Sequence, residues 1–268
     1  MDIVIGVSCP VTSLNSVVKR LRILKSLDIR WVELGFTRGI PSSILNDLKI
    51  IINRIGIENS IHAPYFINLC SEKLDVRERS LEIIKKCLDI ANMFNSHYVV
   101  IHAAYYMSYG PTLCYRLVLQ NLKIVADYIE KNGYTCKIAI ETMGKDSQFG
   151  TLDEVLRLCK DIGIRYVVPC IDWAHIYIRN RGIINYEDIL MKILENLKDL
   201  KNLHTHFTCV QDLEDEHMPL EIDKPSFKNL IICLKKFKNT FNRVNIICES
   251  PMLEKDALKM LKILKNLE

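Results

Sequence analysis

Six apolar runs in this chain end on a histidine or a carboxylate. They are Ile61-His62, Val100-Ile101-His102, Ala139-Ile140-Glu141, Cys170-Ile171-Asp172, His204-Thr205-His206 and Ile247-Cys248-Glu249. Such runs belong in a core, where an imidazole or carboxylate is costly unless it is paired, hydrogen-bonded or bound to a metal. One such ending means little; six in succession point to a shared site. Imidazole nitrogen and carboxylate oxygen are the expected ligands of zinc and also suit manganese or iron. Three local patterns add to this. Asp172-Trp173-Ala174-His175 sets a carboxylate at a strand tip with an imidazole three residues on. His204 and His206 lie on one face of a strand, because side chains alternate with period two. His206 is nearer the tip and is the expected ligand, and His204 is expected one layer deeper as a hydrogen-bonded support. Asp215-Glu216-His217 reads locally as a solvated acidic loop, and only its neighbours raise it to a candidate.

Elements that could position these groups follow one another in strict alternation. Strand-like runs cover Ile3 to Ser8, Trp31 to Phe36, Asn59 to Ala63, Tyr98 to Ala103, Lys137 to Thr142, Tyr166 to Asp172, Leu203 to Thr208 and Asn245 to Ser250. They are short and rich in Ile and Val, as parallel strands buried on both faces should be. Helical runs lie between them. Leu81, Ile84, Leu88 and Ala91 follow a 3.6 period, as do Val118, Leu122, Val125 and Ile129. Thr151-Leu152-Asp153-Glu154 has the form of a capping box, and Gly133 and Gly163 sit where helices should stop. Eight βα units in series predict one α/β domain over 1–268, a single (β/α)8 TIM barrel with its active site at the C-terminal strand ends. A doubly wound open sheet is the rival; its usual G-x-G-x-x-G after the first strand is absent. His97 precedes its strand and belongs at the opposite end. Glu33, inside Trp31 to Phe36, would pair with a buried cation and receives no chemical role.

Composition narrows the remaining classes. The chain has 268 residues and a formal net charge of +4, too mild to argue for nucleic acid by itself. Its Lys-rich stretches, such as Lys235-Lys236-Phe237-Lys238 and Lys259 to Lys265, read as solvated helix faces. No run is long and apolar enough to cross a membrane, and the first residues lack the pattern of a signal peptide. Ten Cys without a C-x-x-C pair fit a reducing, cytoplasmic setting with thiols serving as core residues.

With these motifs in hand, the chain resembles the endonuclease IV family of apurinic/apyrimidinic endonucleases, within the xylose isomerase-like barrels. His62-Ala63-Pro64-Tyr65-Phe66-Ile67-Asn68-Leu69 is similar to that family's first signature, and Cys170-Ile171-Asp172-Trp173-Ala174-His175 to its second. Glu141-Thr142 with Gly144 and Gly150, and Glu249-Ser250-Pro251, match further segments. The resemblance covers nearly the whole chain and implies three zinc ions. His62 and His102 would bind the first, and Asp172, His206 and Glu249 the second, with Glu141 bridging them. His175, Asp215 and His217 would bind the third. The implied activity is hydrolysis of the phosphodiester 5′ to an abasic site in double-stranded DNA, by a monomer. A zinc-activated hydroxide would attack, with Glu249 orienting or deprotonating it. Tyr65 and Phe66, and more weakly Arg38, align with residues that wedge into DNA. Two features depart from the pattern. His206 is followed by Phe207-Thr208-Cys209-Val210 rather than an Asn, an acid and a Lys, and the loops to Asp215 and around Thr37-Arg38-Gly39 are short. The alternative reading is a sugar or sugar-phosphate isomerase or epimerase of the same superfamily, which needs one metal on Glu141, Asp172, His206 and Glu249.

Overall fold

The computed structural model describes residues 1–36, 39–213 and 215–267, and of Asp215 and Glu216 the backbone alone. In chain order the elements are β1 (Asp2–Pro10), α1 (Leu14–Ser26), β2 (Trp31–Gly35), α2 (Leu45–Ile55), β3 (Glu58–His62), α3 (Leu74–Phe94), β4 (Tyr98–Ile101), β5 (Ala104–Tyr105), α4 (Gly110–Asn132), β6 (Lys137–Glu141), β7 (Gln148–Phe149), α5 (Leu152–Ile162), β8 (Val167–Asp172), α6 (Trp173–Arg179), α7 (Tyr186–Asn196), β9 (Asn202–Phe207), β10 (Cys209–Gln211), β11 (Asp215–Met218), α8 (Phe227–Lys236), β12 (Arg243–Cys248) and α9 (Glu254–Leu267). Eight strands, in the order β1-β2-β3-β4-β6-β8-β9-β12, close into a parallel barrel when β12 pairs with β1. This is the architecture expected from the alternation of strand and helix.

Helix boundaries follow local chemistry. Ser13 caps α1 by accepting from the Ser16 amide, and Thr151 and Glu154 form the reciprocal capping box of α5. Gly133 ends α4 in the left-handed region at φ 63°, where a residue without Cβ is unstrained. Tyr109 and Gly110 open α4, with Pro111 in its first turn, where a missing N–H costs nothing. The periodic residues of α3 and α4 are buried against the barrel. So are all ten Cys, each as a free thiol.

The N-terminal end of the barrel is closed by an aromatic and ionic plug. Arg243 makes two bonds of 2.6 Å to Glu58, and its guanidinium lies 5.1 Å from the Trp31 ring. His97 sits here as expected, 3.3 Å from Glu58 and with its ring 4.9 Å from Trp31. Gly6 makes room for this plug: a Cβ there would stand 2.7 Å from Ile247 Cδ1 and 3.0 Å from Trp31 Cβ.

Strand pairing sets the opposite end. Gly35 is level with His62, Glu141 with Cys170, and Asp172 with His206. His102 and Glu249 lie one residue past β4 and β12 rather than inside the strands. Two small antiparallel ladders, β5 with β7 and β10 with β11, stand over this end. Arg179 binds the loop between β6 and β7 through the carbonyls of Met143, Lys145 and Gln148, at 2.9, 3.2 and 3.1 Å. Buried Asp256 of α9 accepts from the Leu220 amide at 2.7 Å and the Ser250 hydroxyl at 2.5 Å. It thereby ties the segment after β11 to the residue that follows Glu249.

Candidate metal centre

Glu141, at the tip of β6, is the hub. Its Oε2 lies 3.1 Å from His62 Nε2 and 3.0 Å from His102 Nε2. Its Oε1 lies 3.2 Å from His175 Nδ1 and 3.5 Å from His206 Nδ1. Burial alone would raise this carboxyl, but His102 and His206, with hydrogen bonds from His102 and His175, hold it well below the usual range. His62 donates from Nδ1 to the Ala63 carbonyl at 2.9 Å, which leaves Nε2 for the site.

Asp172 divides its oxygens between structure and site. Oδ1 accepts from the His175 amide at 2.8 Å and caps α6, the usual use of Asp at a helix start. Oδ2 is buried without a hydrogen bond. It faces His206 Nδ1 at 4.0 Å, and Glu249 Oε2 faces the same nitrogen at 3.6 Å. His206 Nδ1 is likewise without a hydrogen bond. Burial pushes the carboxyls of Asp172 and Glu249 up. Burial works against the charged form of His206, yet Cys170, Glu249, Glu33 and Glu141 around it drive its pKa well up. A buried imidazole nitrogen and a buried carboxylate oxygen that face one another without a hydrogen bond, once the ring gives up its proton, could hold a cation between them.

The donor spacing suits such an ion. Ligands about 2.1 Å from a tetrahedral zinc stand about 3.4 Å from each other. Glu141, Asp172, His206 and Glu249 can each place one donor atom within 4.8 Å of the others, and so can His62, His102 and Glu141. The two sets adjoin and share Glu141.

The remaining expected ligands are arranged differently. His175 is held between Thr142 and the two carboxylates, its Nδ1 lying 2.9 Å from the Thr142 carbonyl and 3.4 Å from Asp172 Oδ2. His217 is exposed, at φ 66°, and lines the same cavity. The side chain of Asp215 lies outside the described residues, as does Arg38. Among the described residues, neither His175 nor His217 belongs to any donor set, although two deeper sets, Glu33–His62–His206 and Cys170–His204–His206, meet the same spacing.

Above the centre is a cavity of about 230 Å³ lined by His62, Tyr65, His102, His175, His217 and Glu249, with Tyr105, Met143 and Gln148 among its walls. The last three were not expected from sequence; they come from the small ladder β5–β7 and the loop beside it, whose two-residue strands leave no period to read. The Tyr65 ring packs 5.2 Å from His62 and 5.0 Å from His102. Phe66 beside it is 57% exposed. His204 lies one layer deeper, as expected, bonded to Glu33 at 2.9 Å.

Residues 21–267 match the family model described as the xylose isomerase-like TIM barrel. The chain belongs to that family. Among relatives of these xylose isomerase-like barrels, an uncharacterised protein of Methanocaldococcus jannaschii is 31% identical over 258 residues, covering 93% of this chain and 92% of that protein. A probable endonuclease 4 of Clostridium beijerinckii is 24% identical over 196 residues, 71% of this chain and 67% of that one. Of solved structures, a D-tagatose 3-epimerase-like protein superimposes with a TM-score of 0.76 at 22% identity, over 99% of this chain and 96% of that one. Endonuclease IV from Thermus thermophilus does so with a TM-score of 0.69 at 16% identity, over 98% and 97%. At these identities the superpositions establish the fold alone.

Proposed function

We propose that this protein is a zinc-dependent endonuclease that hydrolyses the phosphodiester 5′ to abasic sites in double-stranded DNA. The observation that carries the reading is the pairing of His62 and His102 on Glu141 Oε2 beside the four-donor set. A one-metal isomerase has no use for that second set. Bound zinc would supply a water of lowered pKa and a positive charge against the phosphate. His62 and His102 hold one side of the centre, Asp172, His206 and Glu249 the other, and Glu141 both. Glu249, with its carboxylate at the cavity wall, orients the attacking water and takes its proton. Tyr65 and Phe66 exclude water at the rim and wedge into the duplex. His175, Asp215 and His217 are proposed as the holders of a third ion, which would face the leaving group.

A metal-dependent sugar isomerase or epimerase is the second reading. It is favoured by the small cavity and by the absence of Lys or Arg among its described lining residues. One experiment separates the two. Protein purified without chelator is analysed for metals and given a duplex carrying a tetrahydrofuran abasic analogue. Zinc in excess of one equivalent with incision 5′ to the analogue supports the endonuclease, and His217→Ala should then abolish incision. A single manganese and an intact duplex overturn it in favour of the isomerase.

A further inference from the structure

Beneath the centre lies a buried carboxylate that belongs to neither of the two sets sharing Glu141, though it stands within reach of His62 and His206. Glu33, on β2, is wholly buried. Its Oε2 accepts from His204 Nε2 at 2.9 Å and from the Ser60 hydroxyl at 2.7 Å. Ser60 is oriented by the Trp31 indole N–H, which donates to its oxygen at 3.0 Å and leaves the hydroxyl proton to point at Glu33. The other oxygen, Oε1, stands 2.8 Å from His206 Nε2, off the line of a good hydrogen bond. The opposite nitrogen of that ring, Nδ1, faces Glu141, Asp172 and Glu249.

We propose that Glu33 is a positioning residue for the metal centre: it keeps the proton of His206 on Nε2, so that the Nδ1 lone pair is presented to an ion, while His204 and Ser60 hold Glu33 in place. The argument is one of hydrogen-bond inventory. An ionised carboxylate only accepts, so every group aimed at it must donate. The Ser60 hydroxyl, whose oxygen already accepts from the Trp31 N–H, donates to Glu33, and nitrogens of His204 and His206 converge on the same carboxylate, so Glu33 stands as their common acceptor. A neutral imidazole has one N–H, and spending it on Glu33 leaves Nδ1 bare. The partner behind a ligating histidine also makes it more basic and fixes its ring plane.

This inference rests on the metal reading above, and the test keeps the two apart. Zinc affinity is measured by competition with a chromophoric chelator for the parent protein, Glu33→Gln and Glu33→Asp. Cobalt-substituted samples supply a spectrum of the coordination sphere. Glu33→Gln should bind zinc about 10–100-fold more weakly and shift the cobalt bands, with Glu33→Asp recovering part of both. A Glu33→Gln protein that matches the parent in affinity and spectrum overturns the proposal and leaves the metal reading standing. A parent that takes up no zinc overturns both. Should the variants not fold, nitrogen NMR of the zinc-loaded parent decides: a proton on Nε2 of His206 supports the proposal, and one on Nδ1 overturns it.

Discussion

Glu141 gives each of its oxygens to a different pair of imidazoles, and at the scale of single residues this division organises the site. Oε2 serves His62 and His102, while Oε1 serves His175 and His206. Glu141→Gln should therefore weaken metal binding on both sides, whereas Asp172→Asn should spare the His62–His102 side; chelator competition on the two variants checks the difference. Protons must also leave when an ion enters. Burial raises Asp172 and Glu249, and the surrounding anions raise His206, so each holds its proton to a higher pH than it would in water. Only the deprotonated forms ligate. Apparent zinc affinity should rise with pH, and calorimetry in buffers of different ionisation heat should register proton release. Most of this set was legible in the sequence, because a polar residue at the end of an apolar strand is costly wherever it occurs. Glu33 was legible only as a buried acid: its partners Ser60, His204 and His206 come from two other strands, and register across a barrel cannot be read from one strand.

Elements decide how firmly those residues are held. Gly150, at φ 137°, packs against the end of β6, and a Cβ there would stand 2.8 Å from Met143 Cγ and 2.9 Å from the Glu141 carbonyl. Gly150→Ala should cost more than about 1 kcal/mol and displace the strand tip that carries Glu141; thermal unfolding together with metal affinity measures both effects. The other end of the barrel supports a prediction about acid. The Arg243 guanidinium hydrogen-bonded to Glu58 holds that carboxyl below its ordinary value of 4.5, more than offsetting the effect of partial burial. A depressed carboxyl stabilises the fold above its unfolded pKa and ceases to as pH falls through the folded value. The pair is partly exposed, so its worth is about 1 kcal/mol. Stability of Glu58→Gln should match the parent at the acid end of that window and fall short of it near neutrality. The eight barrel strands were readable because they are short, apolar and β-branched; the ladders β5–β7 and β10–β11 were not, being made of loop residues that pair only once the barrel has set them side by side. Asp256 was missed for the same reason, since its partners Leu220 and Ser250 belong to separate loops.

At the scale of the whole molecule, charge contributes little to recognition. A net charge of +4 gives a weak general pull on a polyanion, so under the proposed function any preference for abasic over intact duplex would have to come from the rim. Phe66 is 57% exposed and Tyr65 44%, a large apolar outlay beside a polar cavity. Phe66→Ala should reduce binding to an abasic duplex about tenfold, the low end of what one base–aromatic contact contributes, without changing metal content; fluorescence anisotropy at fixed salt tests this. No helix among the described residues is long and apolar enough to cross a membrane, and the helices instead wrap the barrel. The ten sequestered thiols make the chain its own breathing gauge. A reagent that reaches sulfur only when a segment opens will label Cys248 at the pace at which β12 parts from its neighbours, and Cys87 at the pace at which α3 lifts away. Mass spectra of partly alkylated protein, taken over hours, would then rank the barrel's segments by their local opening, with no engineered probe.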